Sequence, residues 1–419
     1  MWDGADVIED LAGAWRGRDD VAGRALRLIA DGVVAREGTA GLARRLGRDE
    51  AAVRDALVAA AGAGPEALDR SAAAASARAL LEGGELSVSE VARATGFGSA
   101  VRLGAVIREA YGVMPSGRPR EPAPGGAVRL LLRCRAPADL GAVFAFLARR
   151  AVPGVEEPLV GGGLRRSLRL PRGPGVVDLT AAAGDGAGVR CMLWAADLRD
   201  VVAAVARCRR LLDLDAHPAA VAARLGGDPL LGPLVRASPG RRAPGHVDGP
   251  ELAVRAVLGQ QVSLAAARTL AGRLVADHGE RLPVPHGGVT HLFPTPAAVA
   301  AADPPTLAMP RSRRTALLAL GRALADGDLA LDPGADRERA RRALLALPGV
   351  GPWTADYVDL RAHGDPDAFP VSDLGVRHAL RALGAPSGGR DALALAEAWR
   401  PWRAYATHHL WASLATSRS

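Results

Sequence analysis

The sequence predicts a multidomain, mainly α protein with an N-terminal pair of helix-turn-helix units, a small α+β block and a C-terminal all-α domain. Three observations carry this prediction. The chain has 419 residues, more than one hydrophobic core usually organises. Apolar residues recur at helical spacing along most of it, except between Val128 and Val189, where short β-type runs alternate with Gly/Pro turns. Finally, Pro348-Gly349-Val350-Gly351 forms a tight turn between two helical runs, Arg339 to Leu347 and Trp353 to Arg361, with Asp373 twenty residues beyond Trp353.

Residues 1–20 read as a short, polar, poorly ordered leader. Between 21 and 118 two helix-turn-helix units follow one another. The first has a helix around Ala25 to Ala30, a glycine break, and an Ala40 to Arg54 segment with Val53 on its inner face. The second runs from Leu86 through Gly96-Phe97-Gly98 to Ile107 and Pro115. Arg118 to Ala127 is Pro/Gly-rich and cannot continue a helix, so residues 119–127 read as a linker. The α+β block spans 128–212: a strand from Val128 to Cys134, a helix from Ala138 to Arg150, short strands from Gly163 to Val189, and a helix from Ala196 to Leu212. From Asp213 to the end, 213–419, helices and loops are expected.

Composition narrows the function. The net charge is +8 and the pI near 10.5, a balance that favours a polyanionic partner. The chain contains no lysine, so all 53 basic side chains are arginine and no Lys amine can form a Schiff base. The three cysteines, Cys134, Cys191 and Cys208, are too scattered for a zinc or iron–sulfur site, so no metal is expected. A signal segment and a long uncharged apolar run are both lacking. A cytoplasmic protein that spans no membrane is the expectation, working as a monomer.

The hairpin Leu347 to Tyr357, the loop His363 to Ser372 and Asp373 together resemble the helix-hairpin-helix of the HhH-GPD superfamily of DNA glycosylases. The stretches Ala256 to Ser263, Phe293-Pro294-Thr295-Pro296, Met309-Pro310 and Trp399 to Ala406 are similar to the 3-methyladenine DNA glycosylase II (AlkA) branch, and the α+β block resembles that branch's N-terminal domain. The second helix-turn-helix unit is similar to AraC-type regulators, with Leu103 where an aromatic residue is usual and Arg54 the clearest base-reading candidate of the first unit. Relatives with both halves can carry an N-terminal four-Cys methyl-accepting domain; here no cysteine precedes Cys134.

The resemblance implies a monofunctional enzyme on double-stranded DNA, removing alkylated bases after flipping them from the helix, without strand nicking. Asp373 would stabilise the sugar cation, although its position also suits a helix cap, and the two roles coexist because a helix N-terminus stabilises negative charge. Trp353, Tyr357 and Trp411 would hold the cationic purine, with Trp399 and Trp402 in the core. Gly349, Gly351 and Thr354 would anchor a DNA phosphate on free backbone N–H groups. Gln261 stands where relatives carry the side chain that fills the vacated space, and Arg311, Arg313 and Arg314 are candidates for phosphate contact. His408, His409 and Asp356 are assigned to packing or to hydrogen bonds that support neighbouring side chains. No cofactor is expected, although relatives can hold a monovalent cation on the hairpin carbonyls. The competing reading is an alkylation-responsive regulator with a weak or inactive enzyme half. A glycosylase for oxidised purines is disfavoured by the missing lysine.

Overall fold

A computed structural model of the chain describes residues 18–84, 86–112, 124–182, 188–303 and 309–416; the expected leader up to residue 17 and residues 119–123 of the expected linker lie outside these. Helices Val21–Ala30 (α1), Val33–Leu46 (α2), Glu50–Ala61 (α3) and Pro65–Gly83 (α4) close on Leu28, Ile29, Leu42, Leu46, Val53 and Leu57. Asp20 and Asp49 cap α1 and α3 by accepting from the N–H groups of Gly23 and Ala52. Arg54 on α3 is engaged by Glu66 at 2.8 Å, and Glu50 and Asp55 are exposed beside it, so this helix presents an acidic face. Val88–Ala94 (α5) and Ala100–Tyr111 (α6) follow, with a capping box formed by Ser87 and Glu90.

Five antiparallel strands come next: Val128–Arg133 (β1), Glu156–Pro158 (β2), Leu164–Leu170 (β3), Gly173–Ala181 (β4) and Gly188–Ala195 (β5), in the order β1-β5-β4-β3-β2. Leu140–Ala148 (α7) and Val201–Leu212 (α8) pack on the sheet. Helix α4 runs along edge strand β1 so closely that a Cβ on Gly83 would lie 2.0 Å from the Arg129 carbonyl oxygen. One core therefore joins the second helix-turn-helix unit to the sheet: Val91, Leu103 and Ile107 pack in the same cluster as Leu130, Leu132 and Phe144. Leu103 fills this interior. The first unit docks elsewhere, where Arg24 and Arg27 donate to the carbonyls of Gly334 and Pro333 at 2.8 and 2.6 Å and Asp19 accepts from the Arg337 N–H at 2.9 Å.

The remaining helices are Pro218–Leu225 (α9), Gly232–Ala237 (α10), Gly249–Leu258 (α11), Leu264–His278 (α12), Pro296–Ala300 (α13), Arg311–Ala325 (α14), Arg337–Ala346 (α15), Pro352–Arg361 (α16), Leu374–Ala382 (α17), Gly389–Ala396 (α18) and Arg403–Thr416 (α19). The expectation of helices and loops alone from Asp213 onward needs one correction. Glu280–His286 (β6) and Val289–Leu292 (β7) form an antiparallel hairpin. Pro283 and Pro285 forbid a helix there, and Leu282, Val289 and Leu292 cover Val176 of β4. No helix among the described residues is long and apolar enough to cross a membrane. Helices α11 to α16 build one core, while α9, α10 and α17 to α19 build another.

A buried ion network fixes the sheet against α11. Arg166 on β3, 1% exposed, pairs with Glu156 at 2.8 Å and Glu251 at 3.0 Å, and Arg255 reaches both carboxylates at 3.0 Å. Burial alone would raise the Glu156 carboxyl, but Arg255 and Arg166 outweigh it and hold it below its usual range. His246, 3.5 Å from Glu251, is pushed well below the usual histidine range by burial and by the same guanidiniums. At Glu251 burial, helped by the neighbouring Glu156, outweighs the two arginines and raises the carboxyl above its usual range. Removing one partner from such a network leaves buried charge uncompensated, so Arg166→Leu is expected to cost about 3–5 kcal/mol. Thermal unfolding measures this, and an unchanged melting temperature would show that the network does not hold the joint.

Candidate active site

Asp373 begins α17 and does two jobs at once. Its Oδ1 accepts from the Val376 N–H at 3.0 Å as a helix cap and from the Trp411 indole N–H at 2.9 Å, while Oδ2 accepts from the Trp353 indole N–H at 2.8 Å. Three donors from three helices thus fix the orientation of one carboxylate. Gly375 makes the approach feasible, since a Cβ there would stand 3.0 Å from both Asp373 Oδ1 and Trp411 Cδ1. The loop leading to Asp373 is pinned to α19 by Asp367, which pairs with Arg403 at 2.8 Å and also with Arg400. The last helix therefore places both Trp411 and the carboxylate it touches.

Beside Asp373 lies a cavity of about 820 Å³ lined by Trp353, Tyr357, Trp411, Phe146, Arg150, Arg361 and His408, among others. Trp353 and Tyr357 share one face of α16, with rings stacked at 5.4 Å and 15°. Phe146, from α7, stacks on Trp411 at 6.2 Å and 17°. Arg361 donates to the Tyr357 hydroxyl oxygen at 3.1 Å. Burial works to raise that hydroxyl's pKa, but the guanidiniums of Arg361, Arg150 and Arg255 outweigh it and bring the group below its ordinary value. Trp399 is fully buried and donates to Asp228 at 2.8 Å, in the core as expected, and Asp356 pairs with Arg341 at 2.6 Å. His408 packs edge-on against Phe146 and Trp411, as expected, and also lines the cavity.

The hairpin separates the roles of its two glycines. Gly349 has φ +77° and packs against Ala316 of α14, so it needs the left-handed region. Gly351 has φ −107°, an ordinary extended value, and nothing lies within 4 Å of where its Cβ would be. The N–H groups of Gly349, Gly351 and Trp353 donate to nothing among the described residues, which leaves a nest of donors at the start of α16. The carbonyls of Leu347, Gly349 and Gly351 each already accept a hydrogen bond.

Two other expected contacts turn inward. Thr354 is only 2% exposed and its hydroxyl accepts from the Gln260 side-chain amide at 3.0 Å, so it braces the loop instead of meeting DNA itself. Arg313 likewise donates to the Gln260 carbonyl. Gln261 is exposed with φ +54°, a conformation rare outside glycine, and projects from the turn that Arg313 and Gln260 hold. Arg311 is exposed on the first turn of α14, and Arg314 is half-buried.

Sequence reasoning missed Phe146, Arg150, Arg361 and Gln260. The four-residue spacing of Phe146 and Arg150 was visible, but nothing local tied that helix to residues two hundred positions away. Gln260 was legible only as the neighbour of Gln261; its amide, donating 3.0 Å to the Gly349 carbonyl, joins the turn that carries Gln261 to the hairpin.

Comparison with known proteins identifies the family. The chain matches the AlkA N-terminal domain over residues 129–248 and the HhH-GPD superfamily base excision DNA repair proteins over residues 254–404. It is 48% identical over 408 residues, 96% of this chain and 82% of the relative, to the probable bifunctional transcriptional activator/DNA repair enzyme AlkA of Mycobacterium tuberculosis. It is 37% identical over 284 residues to DNA-3-methyladenine glycosylase 2 of Escherichia coli, covering 67% of this chain and 95% of that protein. Among solved structures, the 3-methyladenine DNA glycosylase from Archaeoglobus fulgidus shares the fold with a TM-score of 0.59 at 20% identity, over 68% of this chain and 98% of that one.

Gln260→Ala would leave the Gly349 carbonyl and Thr354 hydroxyl without their partner. The intact variant is expected to bind duplex DNA about three- to tenfold more weakly, the worth of one or two neutral hydrogen bonds. The slope of affinity against salt should not change, because no charge is removed. Unchanged affinity, or an altered slope, would take Gln260 out of the interface.

Proposed function

This chain belongs to the HhH-GPD superfamily of base excision DNA repair proteins, in the branch that carries an AlkA N-terminal domain, and on that premise we propose that it excises alkylated purines as a monofunctional DNA glycosylase. DNA is its partner. The observation that carries the reading is the Asp373 carboxylate, held between the indole N–H groups of Trp353 and Trp411 at the edge of an aromatic cavity.

Alkylation at N3 or N7 makes a purine cationic and a good leaving group, so strong acid catalysis is unnecessary. The sugar becomes oxocarbenium-like as the base departs, and a fixed carboxylate beside the anomeric carbon stabilises that charge without having to reorganise. The stacked faces of Trp353 and Tyr357 and of Phe146 and Trp411 favour a flat cation, at about 0.5–2 kcal/mol per contact. Extruding the base costs a few kcal/mol, least for a damaged one, and Gln261 stands where it can fill the gap. The nest at Gly349, Gly351 and Trp353 suits a phosphate, and Arg311 is exposed on the first turn of α14. Without lysine the chain has no Schiff-base route to strand nicking. The mechanism requires neither cofactor nor cation.

A second reading is favoured by the exposed Arg102 and Arg108 on α6: the second helix-turn-helix unit adds a DNA contact of its own. The acidic face of α3 does not support the same role for the first unit.

Single-turnover release of 3-methyladenine and 7-methylguanine from methylated duplex DNA tests the enzyme reading. Asp373→Asn keeps the helix cap through its amide oxygen but loses the charge, so release is expected to fall by about a hundredfold or more. Strand nicking should be absent throughout. Tight DNA binding with no base released by the unaltered chain would overturn the proposal and promote the regulator.

A further inference from the structure

One exposed leucine stands where the DNA has to pass. Asp373 can stabilise the sugar cation only if the anomeric carbon of the extruded nucleotide comes close to its carboxylate. Leu374 is the next residue, its Cα about 3.8 Å from that of Asp373. Its side chain is 65% exposed. It heads α17, whose inner face is made by the fully buried Val376, Ala379 and Leu380. Leu374 belongs to none of the hydrophobic clusters among the described residues, so packing does not account for it.

Its neighbours fix where it stands. Asp373, Gly375 and His378 line the cavity, while Leu374, between the first two, does not. His378 is exposed one turn further along the same face of α17, and the exposed Arg381 continues the row. The row therefore starts at the cavity rim, outside the space that receives the base. A leucine comes first, followed by two side chains of the kind that meet phosphate. Leu264, 41% exposed at the start of α12, differs because it lines the cavity itself.

Gln261 leaves part of the extrusion step without a side chain suited to it. Its carboxamide can hydrogen-bond the orphaned partner base, but placing it between apolar base faces would strip it of water. Extruding a nucleotide also unstacks its neighbours, and an apolar side chain can cover their faces without that cost. We propose that Leu374 is the apolar wedge of this enzyme: it packs against the base stack beside the extruded nucleotide and holds it open, while Gln261 fills the vacated position. This rests on the base-excision reading and extends it from the reacting bond to the step before it.

Two duplexes test it. One carries 7-methylguanine and reports single-turnover release. The other carries 7-methylguanine on a 2′-fluoro sugar, which resists release, with 2-aminopurine beside it, whose fluorescence rises when its neighbour leaves the stack. At saturating protein, Leu374→Ala is expected to lose most of the fluorescence rise and about five- to tenfold of the release rate, the scale of burying part of one leucine side chain. Leu374→Met, which keeps the apolar length, should retain most of both, and both variants should melt with the unaltered chain. A slower release with an undiminished fluorescence rise would put the leucine after extrusion and overturn the proposal. So would an alanine variant unchanged in both readouts, or one that melts lower. Release by the unaltered chain without any fluorescence rise would also sink it while leaving the base-excision reading in place; no release at all would remove both.

Discussion

The site depends on a joint between two kinds of structure. Phe146 and Arg150 belong to the sheet-bearing part, and Asp373, Trp353 and Trp411 to the helical part, so the cavity exists only if the two parts keep one relative position. The Glu156, Arg166, Glu251 and Arg255 network supplies that constraint, and Arg255 extends it by donating 2.7 Å to the Arg150 carbonyl. Hydrophobic contact would tolerate sliding at this joint. Two carboxylates shared between two guanidiniums do not, because any displacement strands a charge away from water.

At the cavity's edge the same economy recurs on a smaller scale. Asp373 is at once a cap, an acceptor for two indoles and the proposed source of transition-state stabilisation. Each bond fixes its orientation, which suits a group whose task is electrostatic and not proton abstraction.

The sequence made parts of this site legible. Trp353 and Tyr357 followed from their four-residue spacing, whereas Asp373 read locally as a helix cap and, like Trp411, was singled out only by the family resemblance. Gly349 was identifiable because the turn required a left-handed residue; Gly351 was grouped with it although its backbone is extended. Thr354 and Arg313 looked like surface contacts because sequence cannot show that both turn toward Gln260. The β6–β7 hairpin was missed for a related reason: a run with prolines reads as loop until a partner strand and the Val176 surface are known. Phe146 and Arg150 are brought to His408 by tertiary packing across more than 250 residues of sequence, and no periodicity within either segment announces it.

The N-terminal helices look, on the sequence, like a portable module on a Pro/Gly tether. Gly83, with no space for a side chain against Arg129, and Gly334, whose Cβ would fall 2.4 Å from a Leu28 methyl, describe something else. Both boundaries are packed like an interior, and a side chain gained on one surface must be matched by one lost on the other. Joining either half to a distant relative's other half would therefore bring mismatched surfaces into contact.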